Sequence, residues 1–291
     1  MQSLKHIQQS IHSATSLESI VSTMKAYASS NILHFQNASD ASNAYGEVLR
    51  DSLYMLLYQE SPFPYLAEQE GQTIHVVFGS DFGLSGRFNE RIVDFSLPQI
   101  PAGEDDKLIV IGYQILTRIQ HKRKVGTFFN VPQTEEGITP IVQRVLLSID
   151  DFRKQRPIGR IILYYNKPVG KISMKEVKEI LFPLDLAKMT RKPADWNSKS
   201  LPDVFMDKEE MLSDLIQQIF FISLYRTFCY SLVTENASRL ASMQSAEKNI
   251  QERLEELEFH YRRERQSQIT EDISDIISGY MAIKKQEEAK E

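Results

Sequence analysis

Leu4–Ala28 reads LKHIQQSIHSATSLESIVSTMKAYA, and its apolar residues return at alternating steps of three and four. Followed onward, the a and d positions are Leu4, Ile7, Ile11, Ala14, Glu18, Val21, Met24, Ala28, Asn31, Phe35, Ala38, Ser42, Tyr45, Leu49, Ser52 and Leu56. That is the coiled-coil period. Ala14, Ala28, Ala38, Ser42, Glu18 and Asn31 make this seam small or polar in places, so a tight leucine zipper is not indicated. A second stripe runs near the other end through Leu240, Met243, Glu247, Ile250, Leu254, Leu257 and Tyr261, then Arg265, Ile269, Ile273, Ile276, Tyr280 and Ile283. Between Tyr261 and Ile273 every step is four, which breaks the heptad and predicts irregular pairing there. The two stripes predict long terminal helices paired antiparallel.

Helix breakers divide the chain in the same way. All 11 prolines lie between Pro62 and Pro202, and ten of the 12 glycines lie between Gly71 and Gly170. Uninterrupted helix from Met211 to Lys284 would extend about 110 Å at 1.5 Å per residue, too long to hide inside a small domain. The expected division is a coiled-coil helix at 1–60, an α/β domain at 61–205 and a second coiled-coil helix at 206–291.

In the middle, TIHVVF (73–78), KLIVI (107–111), TFFNV (127–131) and RIILYY (160–165) are short, apolar and β-branched or aromatic. Helix-like stretches at 87–95, 113–123 and 135–153 separate them. This alternation predicts a mainly parallel, Rossmann-like sheet with packed helices, and residues 172–182 as an edge strand. A linker through Pro193, Trp196 and Pro202 follows. The fold class expected is α/β: an antiparallel coiled coil of long terminal helices plus a central Rossmann-like domain.

Composition narrows function less. A 42% apolar content is that of a folded chain, and a net charge of -5 gives no general case for nucleic-acid binding. Arg118 with His121, Lys122, Arg123 and Lys124 reads as a solvated helix end. Cys229 sits among Leu224, Phe228 and Leu232, cannot form an internal disulfide, and reads as a buried small apolar residue. No stretch approaches the roughly 18 apolar residues that span a bilayer, and Met1–Gln9 lacks a signal-peptide core. The expectation is a soluble or peripherally attached protein.

Catalytic patterns are weak. The turn from Gly79 to Asn89 could present backbone N–H groups to an anion. It matches neither GxxxxGK[ST] nor GxGxxG, so a structural turn with helix capping by Ser85 or Asp81 is the simpler reading. His6, His12, His34, His75, His121 and His260 show no metal-ligand spacing. The pairs Asp105/Asp106, Asp150/Asp151 and Glu255/Glu256 read as solvated surface charge. No serine or cysteine nucleophile comes with a base. No cofactor, metal or catalytic residue is expected in this chain.

Three segments together resemble the γ subunit of rotary F-type ATP synthases, from one end of the chain to the other. Ser3-Leu4-Lys5 with Ile7, then Met24-Lys25, resembles the family's N-terminal helix. Ser80-Asp81-x-Gly83-Leu84-x-Gly86, followed by Asn89, resembles its SDRGLCGGxN-type turn. Glu235, Arg239, Met243, Ala246 and Asn249 recur at the family's spacing, followed by Tyr261, Arg265-Gln266, Ile269-Thr270, Ile273, Asp275, Ile276 and Gly279. Phe82, Ser85 and Arg87 depart from the turn's usual residues, Asp272 ends the Ile-Thr-x-Glu element, Tyr280 and Met281 replace small residues, and Lys284–Glu291 adds a charged tail. These departures suggest a divergent branch, with an alternative ion-pumping ATPase as one reading.

The resemblance implies a central-stalk rotor, one copy per complex, turning inside a ring of α and β subunits and resting on the ε subunit and the membrane c-ring. Rotation would couple proton or sodium flow to ATP synthesis or hydrolysis on the ring, at the cytoplasmic face of a bacterial inner membrane. It implies ring contacts by Met24, Lys25, Arg265, Gln266, Ile269 and Thr270, with Ser80, Asp81, Gly83, Leu84, Gly86 and Asn89 as a structural turn. No nucleic-acid partner is implied, and a single cysteine argues against a thiol switch. Two other classes share the rod: a tether or chaperone with a helical clamp, and an α/β nucleotide-binding enzyme with a coiled-coil arm.

Overall fold

A computed structural model of the chain describes residues 4–58, 70–103, 106–170, 173–185 and 204–288, with side chains in the last helix through residue 281. The linker through Pro193, Trp196 and Pro202, the boundary at 60/61, and the tail's side chains lie outside the described residues. The elements are α1 (Leu4–Tyr58), β1 (Gln72–Phe78), α2 (Phe88–Ser96) with a 3-10 turn (Leu97–Gln99), β2 (Lys107–Ile111), α3 (Tyr113–Ile119), β3 (Thr127–Phe129), α4 (Ile138–Gln155), β4 (Ile158–Val169), β5 (Ser173–Phe182) and α5 (Lys208–Glu288). By packing they fall into two units, 27–242 and the terminal pair 1–26 with 243–291.

In the larger unit the strand order is β3-β2-β1-β4-β5, parallel except for β5, which pairs antiparallel with β4 at the edge. β1 is apolar on both faces because both faces are covered, as in parallel sheets generally. One face carries Val77, Val110, Ile162 and Tyr164 against Ile92 and Val93 of α2 and Ile115 and Ile119 of α3. The other carries Ile74, Val76, Phe78, Ile109, Ile161 and Leu163. Over it lie Val142 and Val145 of α4, Phe35 and Ala38 of α1, and Leu224, Phe228 and Leu232 of α5. Cys229 is fully buried in this layer, and burial pushes its thiol up to about 12. Farther along, Leu49, Leu53 and Leu56 of α1 pack with Leu212, Leu215 and Ile219 of α5.

The predicted seam needs two corrections in this unit, Gly46 for Tyr45 and fully buried Leu53 for half-buried Ser52. Tyr45 is 44% exposed, while Gly46 turns inward so that a Cβ there would stand 4.0 Å from Ile222 Cγ2. The stripe therefore runs Ser42, Gly46, Leu49, Leu53, Leu56, with Gly46 facing Ile222 of α5. β3 is also shorter than TFFNV, because Val131 leaves the ladder to meet a side chain described below.

In the terminal unit Ile7, Ile11 and Ala14 of α1 meet Ile250, Leu254, Leu257 and Tyr261 of α5. Lys25 pairs with Glu247, and Gln251 Nε2 donates to Glu18 Oε1 at 3.4 Å, so the polar seam positions are bridged across the pair. Past Glu264 the stripe has no partner within the described residues. Ile269, Ile273, Ile276, Ile277, Tyr280 and Met281 are all exposed, Ile276 by 72%. The expected irregular pairing between Tyr261 and Ile273 is instead an end of pairing, since no described residue packs against α5 past Glu264.

Phe35, 2% exposed in the layer under the sheet, tests this seam. Phe35→Asp is expected to cost about 3–5 kcal/mol, the range of an uncompensated buried charge. Urea unfolding of the purified chain measures it, and an unchanged midpoint contradicts the seam.

Candidate functional site: a self-satisfied turn and a partnerless helix end

The turn after β1 stands where a phosphate would bind in a nucleotide fold, at the carboxyl ends of parallel strands. Here three amides at the strand ends, Ser80 N, Tyr113 N and Val131 N, are taken by the chain's own side chains. Asn89 Oδ1 accepts from Ser80 N at 3.0 Å, and Asn89 Nδ2 donates to Ser80 Oγ at 2.8 Å. Asp81 Oδ1 accepts from Tyr113 N at 2.9 Å, the first residue of α3. Asp81 Oδ2 accepts from Val131 N at 2.8 Å and Asn130 Nδ2 at 3.3 Å, just beyond β3. The anion at this switch point is the chain's own carboxylate, which ties the ends of β1, β2 and β3 together.

Capping by Ser85 or Asp81 was the expectation for the following helix, and the structure corrects it. No side chain caps α2, whose N-cap is Arg87. Asp81 serves α3 instead, and Ser85 contributes its carbonyl, which accepts from Phe88 N at 3.2 Å and from Ser238 Oγ of α5 at 2.6 Å. Gly83 faces open space, whereas Gly86 at φ +56° lies under Ser238 and Ser242 of α5. Leu84 holds φ 62° without being glycine, a strain of about 1–2 kcal/mol, and with Phe82 it points into solvent.

Gly112 escaped the sequence reading. Its φ is +110°, and a Cβ there would come within 2.7 Å of Ser80 N. A glycine directly after the apolar run 107–111 was the available signal, since strand-to-helix turns favour such residues. Asp106, expected as solvated surface charge, is engaged instead. Its Oδ1 accepts from Thr73 N at 2.9 Å, and its Oδ2 lies 3.5 Å from Nε2 of buried His75, whose Nδ1 is 3.3 Å from the Tyr164 hydroxyl. Burial lowers the His75 pKa although Asp106 opposes the shift. In the basic cluster, Arg123 is not simply solvated: its Nε donates to Ile100 O at 2.9 Å.

On α5, Glu235 and Arg239 form a buried pair, with Arg239 Nη2 donating to Glu235 Oε1 at 2.5 Å. Burial pushes the Glu235 carboxyl up to about 7, against the pull of Arg239, and the Asp81 charge adds to the rise. Among the described residues no group of three His, Cys, Asp or Glu could hold a metal ion.

The other residues singled out from sequence lie in the terminal unit. Met24 and Lys25 are half-buried on α1, and Lys25 is engaged by Glu247. Arg265, Gln266, Ile269 and Thr270 are exposed on the partnerless part of α5, where Thr270 Oγ1 donates only to its own helix at Gln266 O, 2.9 Å. The structure thus groups four of the six on one bare stretch of helix and puts Met24 and Lys25 on α1.

Two measurements follow. Asp81→Ala leaves the half-buried Val131 amide without its acceptor and gives the exposed Tyr113 amide to water, and is expected to destabilise the purified chain by about 1–2 kcal/mol in urea unfolding. An unaltered midpoint removes Asp81 from its tying role. Because folding raises the Glu235 pKa above its ordinary 4.5, the folded state binds this proton more tightly. Its contribution to stability is therefore greatest below pH 4.5 and declines as pH rises toward 7. Melting temperature followed across that window should lose this downward component in Glu235→Gln. Identical slopes in the two proteins would contradict the raised pKa.

A family model described as ATP synthase matches residues 3–283. The ATP synthase gamma chain of Clostridium kluyveri is 26% identical over 287 residues, covering 96% of this chain and 97% of that one. The gamma chain of Staphylococcus carnosus is 26% identical over 294 residues, covering 97% and 100%. Among solved structures, a chain of the Euglena gracilis mitochondrial ATP synthase rotor superposes with a TM-score of 0.62 at 13% identity, covering 91% of this chain and 98% of that one. With matches running from one end to the other, and a five-stranded sheet between long terminal helices, the chain belongs to the ATP synthase gamma family.

Proposed function

We propose that the chain is the central-stalk rotor subunit of an F-type ATP synthase, and that the bare end of α5 is the part its catalytic ring grips. The observation that carries the second statement is the unpartnered stripe Ile269, Ile273, Ile276, Tyr280. It continues the seam that α1 covers up to Tyr261, and it is exposed together with Ile277 and Met281. Apolar side chains at seam spacing on a free helix fit a surrounding protein surface better than water. The gamma chains among its relatives, together with the absence of any described helix long and apolar enough to cross a membrane, support a peripheral place in the membrane-associated complex. On the family resemblance, α and β subunits form the ring, and ε and the c-ring are its further partners.

A rotor of this kind works by differential contact. Three ring sites of one chemistry are held in different states when a lone helix presents a different side chain to each, and turning the helix exchanges those states. Arg265 and Gln266 bring charge and hydrogen-bonding capacity to this bare stretch, and Ile269 and Thr270 sit one turn on. A charge-assisted hydrogen bond from Arg265 contributes about 1.5–3 kcal/mol, enough to favour one angle without locking it. Met24 and Lys25 are the candidate contacts on α1, with Lys25 free to reach outward only by leaving Glu247.

The test is Arg265→Ala in the assembled complex. Its ring should assemble with one copy of the variant per three α and three β subunits, and vesicles should pump fewer ions per ATP hydrolysed. Unchanged pumping per ATP removes Arg265 from the coupling contact.

A further inference from the structure

The part of α5 that crosses the sheet carries polar side chains at four-residue intervals: Arg226, Tyr230, Thr234, Ser238 and Ser242. Four residues are slightly more than one helical turn, so these side chains form a single ridge that drifts by only about 40° per step. Each of the first four reaches a different fixed point outside the helix. Arg226 Nη2 donates to Glu179 Oε1 of β5 at 2.7 Å, and the other oxygen of that carboxylate accepts from the Tyr165 hydroxyl of β4 at 2.7 Å. The Tyr230 ring stacks on Tyr165 at 6.2 Å and 11°, and its hydroxyl accepts from Asn43 Nδ2 of α1 at 3.1 Å.

Thr234 Oγ1 lies 2.7 Å from its own helix's Tyr230 O and 3.2 Å from Asn166 O of β4, a shared donation. Ser238 Oγ donates to Ser85 O of the turn after β1 at 2.6 Å. Beneath Ser238 and Ser242 the turn has Gly86, where a Cβ would stand 3.3 and 3.1 Å from the two hydroxyls. The neighbouring contacts of this helix, through Leu224, Phe228 and Leu232, are apolar.

These two kinds of contact resist different motions. Apolar packing is non-directional, and a helix can turn about its axis or shift along it while keeping much of its buried area. Hydrogen bonds weaken steeply with angle and distance, so each anchor fixes both the rotation and the height of α5 against the sheet. One such bond would define a pivot. Several, spread over three turns and held by β4, β5, α1 and the turn, define an angle.

We infer that this polar ridge is a positioning device that keys α5 to the sheet, so that a twisting load applied to the α/β part passes into the helix instead of being lost as slip between them. Arg226 and Ser238 are its positioning residues. The inference rests on the rotor reading, since only a loaded rotor needs such a key. It also separates holding the helix in place, which the apolar layer does, from holding it at one angle.

The experiment uses the complete complex in sealed vesicles and measures ions moved per ATP hydrolysed while the opposing ion gradient is raised. Arg226→Met with Ser238→Ala removes two anchors and keeps the apolar stems. The expected result is normal assembly and pumping near wild type at zero gradient. Against the highest gradient the ion-to-ATP ratio should fall roughly twofold, as two directional contacts are lost. Arg226→Lys, which keeps a cation opposite Glu179, should stand between the two. Thr227→Val is the control, because the Thr227 hydroxyl is buried but bonds only its own helix at Ser223 O. It should behave as wild type at every gradient. A double variant that pumps against the gradient as well as wild type overturns the inference, and so does equal slip in Thr227→Val or failure of the double variant to assemble. If the unaltered complex pumps no ions on ATP hydrolysis, the rotor reading itself fails and this inference falls with it.

Discussion

One face of the central sheet is covered by helices from opposite ends of the chain, and the rest of the structure depends on that. Ile74, Val76 and Phe78 of β1 bury against Phe35 of α1 and Leu224 and Phe228 of α5, residues almost 200 positions apart. The apolar area involved is the main free energy available to this unit. Without α1 and α5, only α4 would cover that face and the rest of it would be wet. The α/β part and the helices over it therefore stabilise each other, and this face of the sheet is not fully covered until α5 has joined it. Long-range closure of this kind is slow to form and hard to undo piecemeal.

The polar residues near the carboxyl ends of the strands are the second layer of specification. Asp81 and Asn89 take up the amides of Ser80, Tyr113 and Val131, and Gly112 lets the backbone pass close to Ser80. A fold that elsewhere holds nucleotides here uses the same concentration of amide donors to lock three strand ends. The buried pair of Glu235 and Arg239 adds charge where charge is expensive, which stabilises little by itself but penalises any register of α5 that separates the two from their surroundings.

Much of this was legible in the residues. Prolines confined to the middle, and apolar steps of three and four outside it, give the two long terminal helices. The β-branched runs give four strands, and the run ending at Phe182 gives the edge. What failed was nonlocal. Tyr45 and Gly46 are neighbours, and which of them faces inward depends on α5, whose Ile222 lies opposite Gly46. Asp81 binds amides 32 and 50 residues away, and Asp106 binds one 33 residues back, distances over which a sequence pattern carries no signal. The stripe through Ile269 and Ile273 looks the same whether its partner belongs to this chain or to another. Periodicity reports that a face is apolar and says nothing of who covers it.

The bare end of α5 has a geometrical consequence of its own. Because the helix is already nucleated by its packed part, the free turns need only propagation to persist. Residues 265–281 are exposed on every side, so no azimuth is reserved for an internal neighbour. Successive side chains point about 100° apart. Turning such a helix inside an enclosure changes which residue faces a given wall at every angle, and it does so without breaking a single contact within the chain.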